Sequence, residues 1–200
     1  SMPPPSSGGV ALIEMLNMIE ALEIQKLQRL SDEAVHVTTE ARRRAFLDRA
    51  RFLGDPDFVD VPVATLISKP HARDQIASIS RTNTSSSAEL GKDIVTLPGA
   101  ESDETTHFSV VDRNGMAVSN TYTLEGGYGS HLVIPGTGFL LNNEMGDFNK
   151  KPGTTNLTGD IGTPANVIAP GKRMLSSMTP VIVSRSGKLV LVTGSPGGRT

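Results

Sequence analysis

Apolar residues recur at helical spacing between Val10 and Leu22, at Leu12, Ile13, Leu16, Ile19 and Leu22. They predict an amphipathic helix whose stripe faces a core. Ser31 and Asp32 can cap a second helix, and Gly54 can end it. Its inner face would hold Ala34, Val37, Ala41, Ala45 and Phe46, and the basic run Arg42-Arg43-Arg44 reads as a solvated flank. Pro62 to Ile67 and His71 to Ile79 read as two short helices separated at Pro70. Ser80 to Glu104 is rich in Ser, Thr, Asn and Gly and reads as a mobile surface linker. Beyond it the period drops to two. Thr106 to Asp112 and Met116 to Leu124 alternate about an Asn114-Gly115 turn, and Pro180 to Val183 and Lys188 to Thr193 do so about Ser186-Gly187. Phe139 to Leu141 reads as a short apolar strand, and Lys151 to Lys172 as a long loop. Helices first and paired strands afterwards make an α+β order.

Composition narrows the function. The chain has 200 residues, a hydrophobic fraction of 37%, no Trp and no Cys. The hydrophobic fraction is low for a self-contained globular domain. A net charge of −2 points to neither nucleic acid nor an anionic membrane. No apolar run reaches the length of a membrane span, and no signal peptide is visible at the N-terminus. Without cysteine there is no disulfide framework and no statement about redox compartment. The four histidines, His36, His71, His107 and His131, show no metal-ligand spacing, so no metal is expected.

The chemistry concentrates at Glu104-Thr105-Thr106-His107-Phe108, where the linker stops and a strand starts. A threonine hydroxyl is a weak nucleophile unless a base takes its proton. Cutting the bond ahead of it supplies that base as its own α-amine, with an ordinary pKa of about 7.7–8.0. The junction therefore permits a self-cleaved hydrolase with an N-terminal threonine. A Thr-Thr pair also simply starts strands, and Thr106 is the alternative nucleophile.

Six motifs follow one another along the chain. They are Pro3-Pro4-Pro5-Ser6-Ser7-Gly8-Gly9, Gly54-Asp55-Pro56-Asp57-Phe58-Val59, and Thr105-Thr106-His107-Phe108-Ser109-Val110-Val111-Asp112. Asn142-Asn143-Glu144-Met145-Gly146-Asp147-Phe148, Leu175-Ser176-Ser177-Met178-Thr179-Pro180 and Gly194-Ser195-Pro196-Gly197-Gly198 complete the series. In this order they closely resemble the γ-glutamyltranspeptidase family of N-terminal nucleophile hydrolases, over essentially the whole chain.

The resemblance implies a partial αββα four-layer sandwich and a precursor that cleaves itself between Glu104 and Thr105. Residues 1–104 would be the late part of a large subunit and 105–200 the early part of a small one, paired as a heterodimer. The implied activity is that of a γ-glutamyltransferase or glutathione hydrolase, acting on γ-glutamyl donors such as glutathione. Water, amino acids or peptides would accept the group. No cofactor and no metal are implied, and the location would be periplasmic or extracellular.

Residue by residue, Thr105 would be the nucleophile and Thr123 its positioning hydroxyl. Gly197 and Gly198 would bare backbone N–H groups for the oxyanion. Asp147, with Glu144 and Glu125, would bind the donor's α-ammonium, and Ser176 and Ser177 its α-carboxylate. Position 125 is Asn in some family members. The family's main arginine for that carboxylate falls upstream of Ser1, and the aromatic that some members place in a substrate lid is absent at Thr158. Taken alone, Thr123 is an ordinary strand former, and the Gly-Gly and Ser-Ser pairs are ordinary turns. His107 reads as structural. A related acylase or poly-γ-glutamate hydrolase on the same scaffold, and a non-catalytic unprocessed segment, are the alternatives.

Overall fold

The Ser31 hydroxyl accepts the Ala34 N–H at 3.3 Å and starts the longest element, helix α2 (Asp32–Phe52). Acidic residues in its first turn and arginines in its last match the helix dipole. The structure is a computed structural model that describes residues 1–92, 96–97, 105–149, 155–156 and 163–196. Helix α1 (Gly8–Ala21) packs on α2 and on α4 (Lys69–Ile76), with the short α3 (Val63–Leu66) between. Two apolar clusters hold them. Met18, Ala41, Ala45 and Ala72 join α1, α2 and α4. Val10, Leu53, Leu66 and Leu175 join the helices to the C-terminal half.

The buried face of α1 differs from the expected stripe. Ile13 is 41% and Leu16 53% exposed, whereas Val10, Ala11, Glu14, Asn17 and Met18 are buried. Polar partners turn the helix: the Asn17 side-chain amide donates to the Ile67 carbonyl at 2.7 Å, and Glu14 faces Asp48 and His71. On α2 the expected Ala34, Val37, Ala41 and Ala45 are buried, while Phe46 stays half-buried under the Arg42 guanidinium. The basic run is not uniformly solvated. Arg44 is fully buried, donating to the Glu40 carboxylate at 2.7 Å and to the Ser78 and Ser85 hydroxyls. Burial by itself would raise Glu40, but hydrogen bonds from Ser85, Arg44 and Arg43 outweigh it and hold the carboxyl at about 2.

Those contacts correct the linker expectation for its first part. Residues 78–86 are stitched to α2 through Glu40 and Arg44, and α5 (Ser87–Leu90) follows. Pro70 does not separate two helices. It sits in the first turn of α4, where no backbone N–H is needed, and Ser68 caps that turn.

Among the described residues the strands form three two-stranded sheets. The short β1 (Thr96–Leu97) runs parallel to β4 (Thr155–Asn156), inside the regions expected to be linker and loop. Strands β2 (Thr105–Val111) and β3 (Ala117–Thr123) form the first expected hairpin. Strands β5 (Val181–Arg185) and β6 (Lys188–Thr193) form the second, with φ of 51° and 75° at Ser186 and Gly187 as its tight turn requires. Ser119 joins the hairpins, donating to the Thr193 carbonyl at 2.9 Å and accepting the Val181 N–H at 3.1 Å. Phe139 to Leu141 is not a strand; only an isolated bridge, Val133 to Leu140, forms there. Thr158 and the rest of 157–162 lie outside the described residues.

Candidate active site

Thr105 opens β2 directly opposite Thr123, the last residue of β3. Both point to one side of the hairpin, because their register makes them a cross-strand pair. The chain then turns sharply at Glu125, whose φ is 72°. The Thr123 hydroxyl accepts the Glu125 N–H at 2.9 Å and also hydrogen-bonds the Glu144 carboxyl. Asn143 returns the chain to this corner. Its N–H donates to the Leu124 carbonyl, and its side-chain oxygen accepts the Gly126 N–H at 2.9 Å.

Residues Glu144–Asp147 form a single 3₁₀ turn beside that corner. The Glu125 carboxylate rests directly on the α-carbon of Gly146, in space that any side chain there would occupy. Glu125, Glu144 and Asp147 therefore converge. Burial, then the charge of Asp147 and its hydrogen bond, then the charge of Glu125, push Glu144 up to about 7. Its Oε1 is buried and has no hydrogen-bond partner. Such a group of carboxylates suits an incoming cation, which would relieve the repulsion.

The expected serines meet this turn through a residue the sequence did not single out. The buried Asn166 donates from its side-chain amide to the Asp147 carbonyl at 2.6 Å and accepts the Leu175 N–H at 3.0 Å. It clamps the acidic turn to Leu175-Ser176-Ser177. The opening motif closes on the same segment: the Ser7 N–H donates to the Ser176 carbonyl at 2.8 Å, and the Ser176 N–H to the Pro5 carbonyl at 3.1 Å. A second unanticipated residue is Arg49 on α2. Buried, it donates to the Ser177 hydroxyl at 2.7 Å and to the Ser7 hydroxyl at 3.0 Å. A lone arginine in a helix carries no sequence signal for that role.

Asp55 braces the segment from the other side. Arg173 donates to its Oδ1 at 2.5 Å and its Oδ2 at 3.0 Å, and adds its backbone N–H at 2.8 Å. These bonds hold the Asp55 carboxyl far below the usual carboxylate range. His107 shares the Thr105 face of β2 and bridges the hydroxyls of Thr121 at 2.9 Å and Ser109 at 3.2 Å. Its ring lies against the α-carbon of Gly194, where a Cβ would overlap it. Glu104, Gly197 and Gly198 lie outside the described residues.

The structure thus brings Thr105, Thr123, Glu125, Glu144, Asp147, Ser176 and Ser177 into one connected series of contacts. The same residues, read as motifs, match known proteins. The family described as Gamma-glutamyltranspeptidase matches residues 1–200. The glutathione hydrolase proenzyme of Pseudomonas aeruginosa is 48% identical over 198 residues, covering 98% of this chain and 34% of that one. The glutathione hydrolase proenzyme of Escherichia coli is 47% identical over 201 residues, covering 99% and 34%. In fold, the chain is similar to the cephalosporin acylase of Bacillus halodurans, with a TM-score of 0.67 at 22% identity over 96% of this chain and 31% of that one. The chain spans about a third of the length of the curated relatives it matches. With a match from its first residue to its last and a mixed helix-and-strand fold, the chain belongs to the γ-glutamyltranspeptidase family.

Proposed function

We propose that this chain carries the processing junction and much of the active site of a γ-glutamyltransferase that also hydrolyses glutathione. The Thr105 hydroxyl attacks the Glu104 carbonyl, and an N-to-O acyl shift yields an ester. Water cleaves that ester and leaves Thr105 with a free α-amine. In turnover the amine takes the hydroxyl proton as the oxygen attacks the γ-amide of the donor. The leaving amine departs with a proton, and a γ-glutamyl ester remains on Thr105. Water, an amino acid or a peptide then resolves it.

Thr123 orients the nucleophile, and the backbone N–H groups of Gly197 and Gly198 stabilise the oxyanion. Asp147, Glu144 and Glu125 bind the donor's α-ammonium, and Ser176 and Ser177, the latter held by Arg49, bind its α-carboxylate. Residues 1–104 belong to a large subunit and 105–200 to a small subunit, within a four-layer αββα sandwich. No metal or organic cofactor takes part in the reaction, and the enzyme works in the periplasm or outside the cell.

The observation that carries this reading is the continuous path from the Thr105–Thr123 pair to the acidic turn and on through Asn166 to the serines. Along that path a hydroxyl pair, a cluster of carboxylates and a pair of serines follow one another, which supports a reading as nucleophile, cation site and carboxylate site. The test is mass spectrometry of the full-length protein while γ-glutamyl substrates are consumed. The expected result is a break between Glu104 and Thr105 and a γ-glutamyl adduct on Thr105. An unbroken junction during turnover would overturn the mechanism. Release of acyl groups only from substrates lacking a free α-amine would favour an acylase.

A further inference from the structure

The helical region contains a second convergence of charge that the reaction does not use. Glu14 on α1, Asp48 on α2 and His71 on α4 each offer a ligand atom, all within 4.8 Å of one another. The three come from separate helices, so no local spacing announces them. Glu14 and Asp48 are 1% and 2% exposed, and His71 sits at the partly open rim. The Glu14 Oε1 is buried without a hydrogen-bond partner and lies 3.6 Å from the His71 Nε2. That nitrogen is 2.7 Å from the Asp48 Oδ2, which also accepts from the Gln75 amide at 3.2 Å.

Two neighbouring carboxylates as buried as Glu14 and Asp48 are costly unless something positive offsets them. A divalent cation would match their two negative charges. From this geometry we propose that Glu14, Asp48 and His71 bind one divalent first-row transition-metal ion, zinc or manganese in class. Tetrahedral ligand atoms around zinc stand about 3.4 Å apart, given metal–ligand distances of about 2.0–2.2 Å. The Glu14–His71 separation of 3.6 Å already fits. The Asp48–His71 contact of 2.7 Å must open by less than about 1 Å. Gln75 or water completes the shell. Carboxylates with imidazole suit zinc or manganese rather than a soft cuprous ion. The ion would tie α1, α2 and α4 together one residue from Arg49, which holds Ser177.

The rival occupant is a proton. Burial and the neighbouring Asp48 push Glu14 up to about 9, so the two carboxyls could share a hydrogen bond instead. Full-length protein, stripped with a chelator, separates the two. Zinc, and then manganese, would be titrated by calorimetry with metal analysis, and melting followed in parallel. The expected result is one ion per chain, a higher Tm with metal, and affinity about 100-fold weaker or worse in Glu14→Gln. Gln keeps the size of a protonated Glu, so that variant should fold; circular dichroism checks it, and Asp48→Asn provides a second ligand variant. Equal binding, or equal absence of binding, in wild type and both variants would overturn the site and leave a shared proton. The measurement is independent of Thr105 chemistry, since it can be repeated in an uncleaved Thr105→Ala background.

Discussion

The helical region and the hairpin region solve different problems. In the helices, apolar residues such as Met18, Val37, Leu53 and Leu66 are buried within the chain itself. Buried polar groups there are matched to one another, as in Glu40–Arg44 and Asn17–Ile67. In the hairpins, Phe108, Val110, Val118, Ile182 and Leu191 stay exposed, and strand pairing with a few polar stitches sets the geometry. The lesson is that the proposed chemistry starts in the region with the least packing of its own. The helical region grips the segment 173–177 that leads into the second hairpin through Arg49, Ser7 and Asp55. Stability and substrate grip should therefore track the helices, and bond-breaking the hairpin.

Thr105→Ala offers the sharpest division. Self-cleavage and γ-glutamyl release should fall by on the order of 10⁴-fold or more, seen on denaturing gels and in product assays. The melting curve should move little, because the β2–β3 backbone pairing at position 105 is kept; normal processing in this variant would remove the nucleophile assignment. Asp55→Asn should do the reverse. Losing the charge on a buried acceptor of three Arg173 bonds should cost roughly 2 kcal/mol in urea melts. The kcat of the folded enzyme should hold; a collapse of kcat with unchanged stability would erase the division of labour.

Arg49→Lys should weaken the grip without touching the bond-breaking step. A lysine cannot serve Ser7 and Ser177 together, so KM for the donor should rise about tenfold at constant kcat. An unchanged KM would mean that α2 does not reach the site. The smallest effect expected is in pH dependence. Glu144 is raised to about 7, so protonation of the cation site as pH falls from 7 should raise KM about twofold over the first half unit, steepening towards threefold per half unit below that. Glu144→Gln should flatten that profile. The stability sign is opposite to that of Asp55. Between the ordinary carboxylate range and pH 7 the empty folded site keeps a proton the unfolded chain has lost, so Glu144 makes stability fall as pH rises through that window. Asp55, held low by Arg173, contributes stability that is present above its ordinary pKa and is lost only as pH falls towards its folded value.

Both hairpins were legible from local pattern, since Asn114-Gly115 and Ser186-Gly187 mark where the chain reverses. The register of the first was not: a two-residue Asn-Gly turn would set Thr106 opposite Thr123, whereas the Asp112 carboxylate gathers the Asn114 and Met116 N–H groups into a longer loop that sets Thr105 there. Ser31 announced α2 because a capping hydroxyl acts on an N–H three residues away. The expected stripe on α1 failed at Ile13 and Leu16 because periodicity counts apolar residues and cannot see that Glu14 and Asn17 have partners on α4 and at Ile67. The supposed mobility of residues 80–92 failed similarly, since Ser85 is held by a carboxylate from a distant helix. Asn166 and Arg49 could not be found at all from local pattern, because their hydrogen bonds span 19 and 128 residues.

By itself, the sequence determined the family, the helix-then-hairpin order and the strands that carry the two threonines, because motifs, caps and turns act over a few residues. Only the tertiary structure decided which face of α1 is buried, how the acidic turn meets the serines, and where Glu14, Asp48 and His71 converge. Those outcomes depend on which distant groups compensate one another once water is removed, and that balance is struck only after the helices and hairpins have packed.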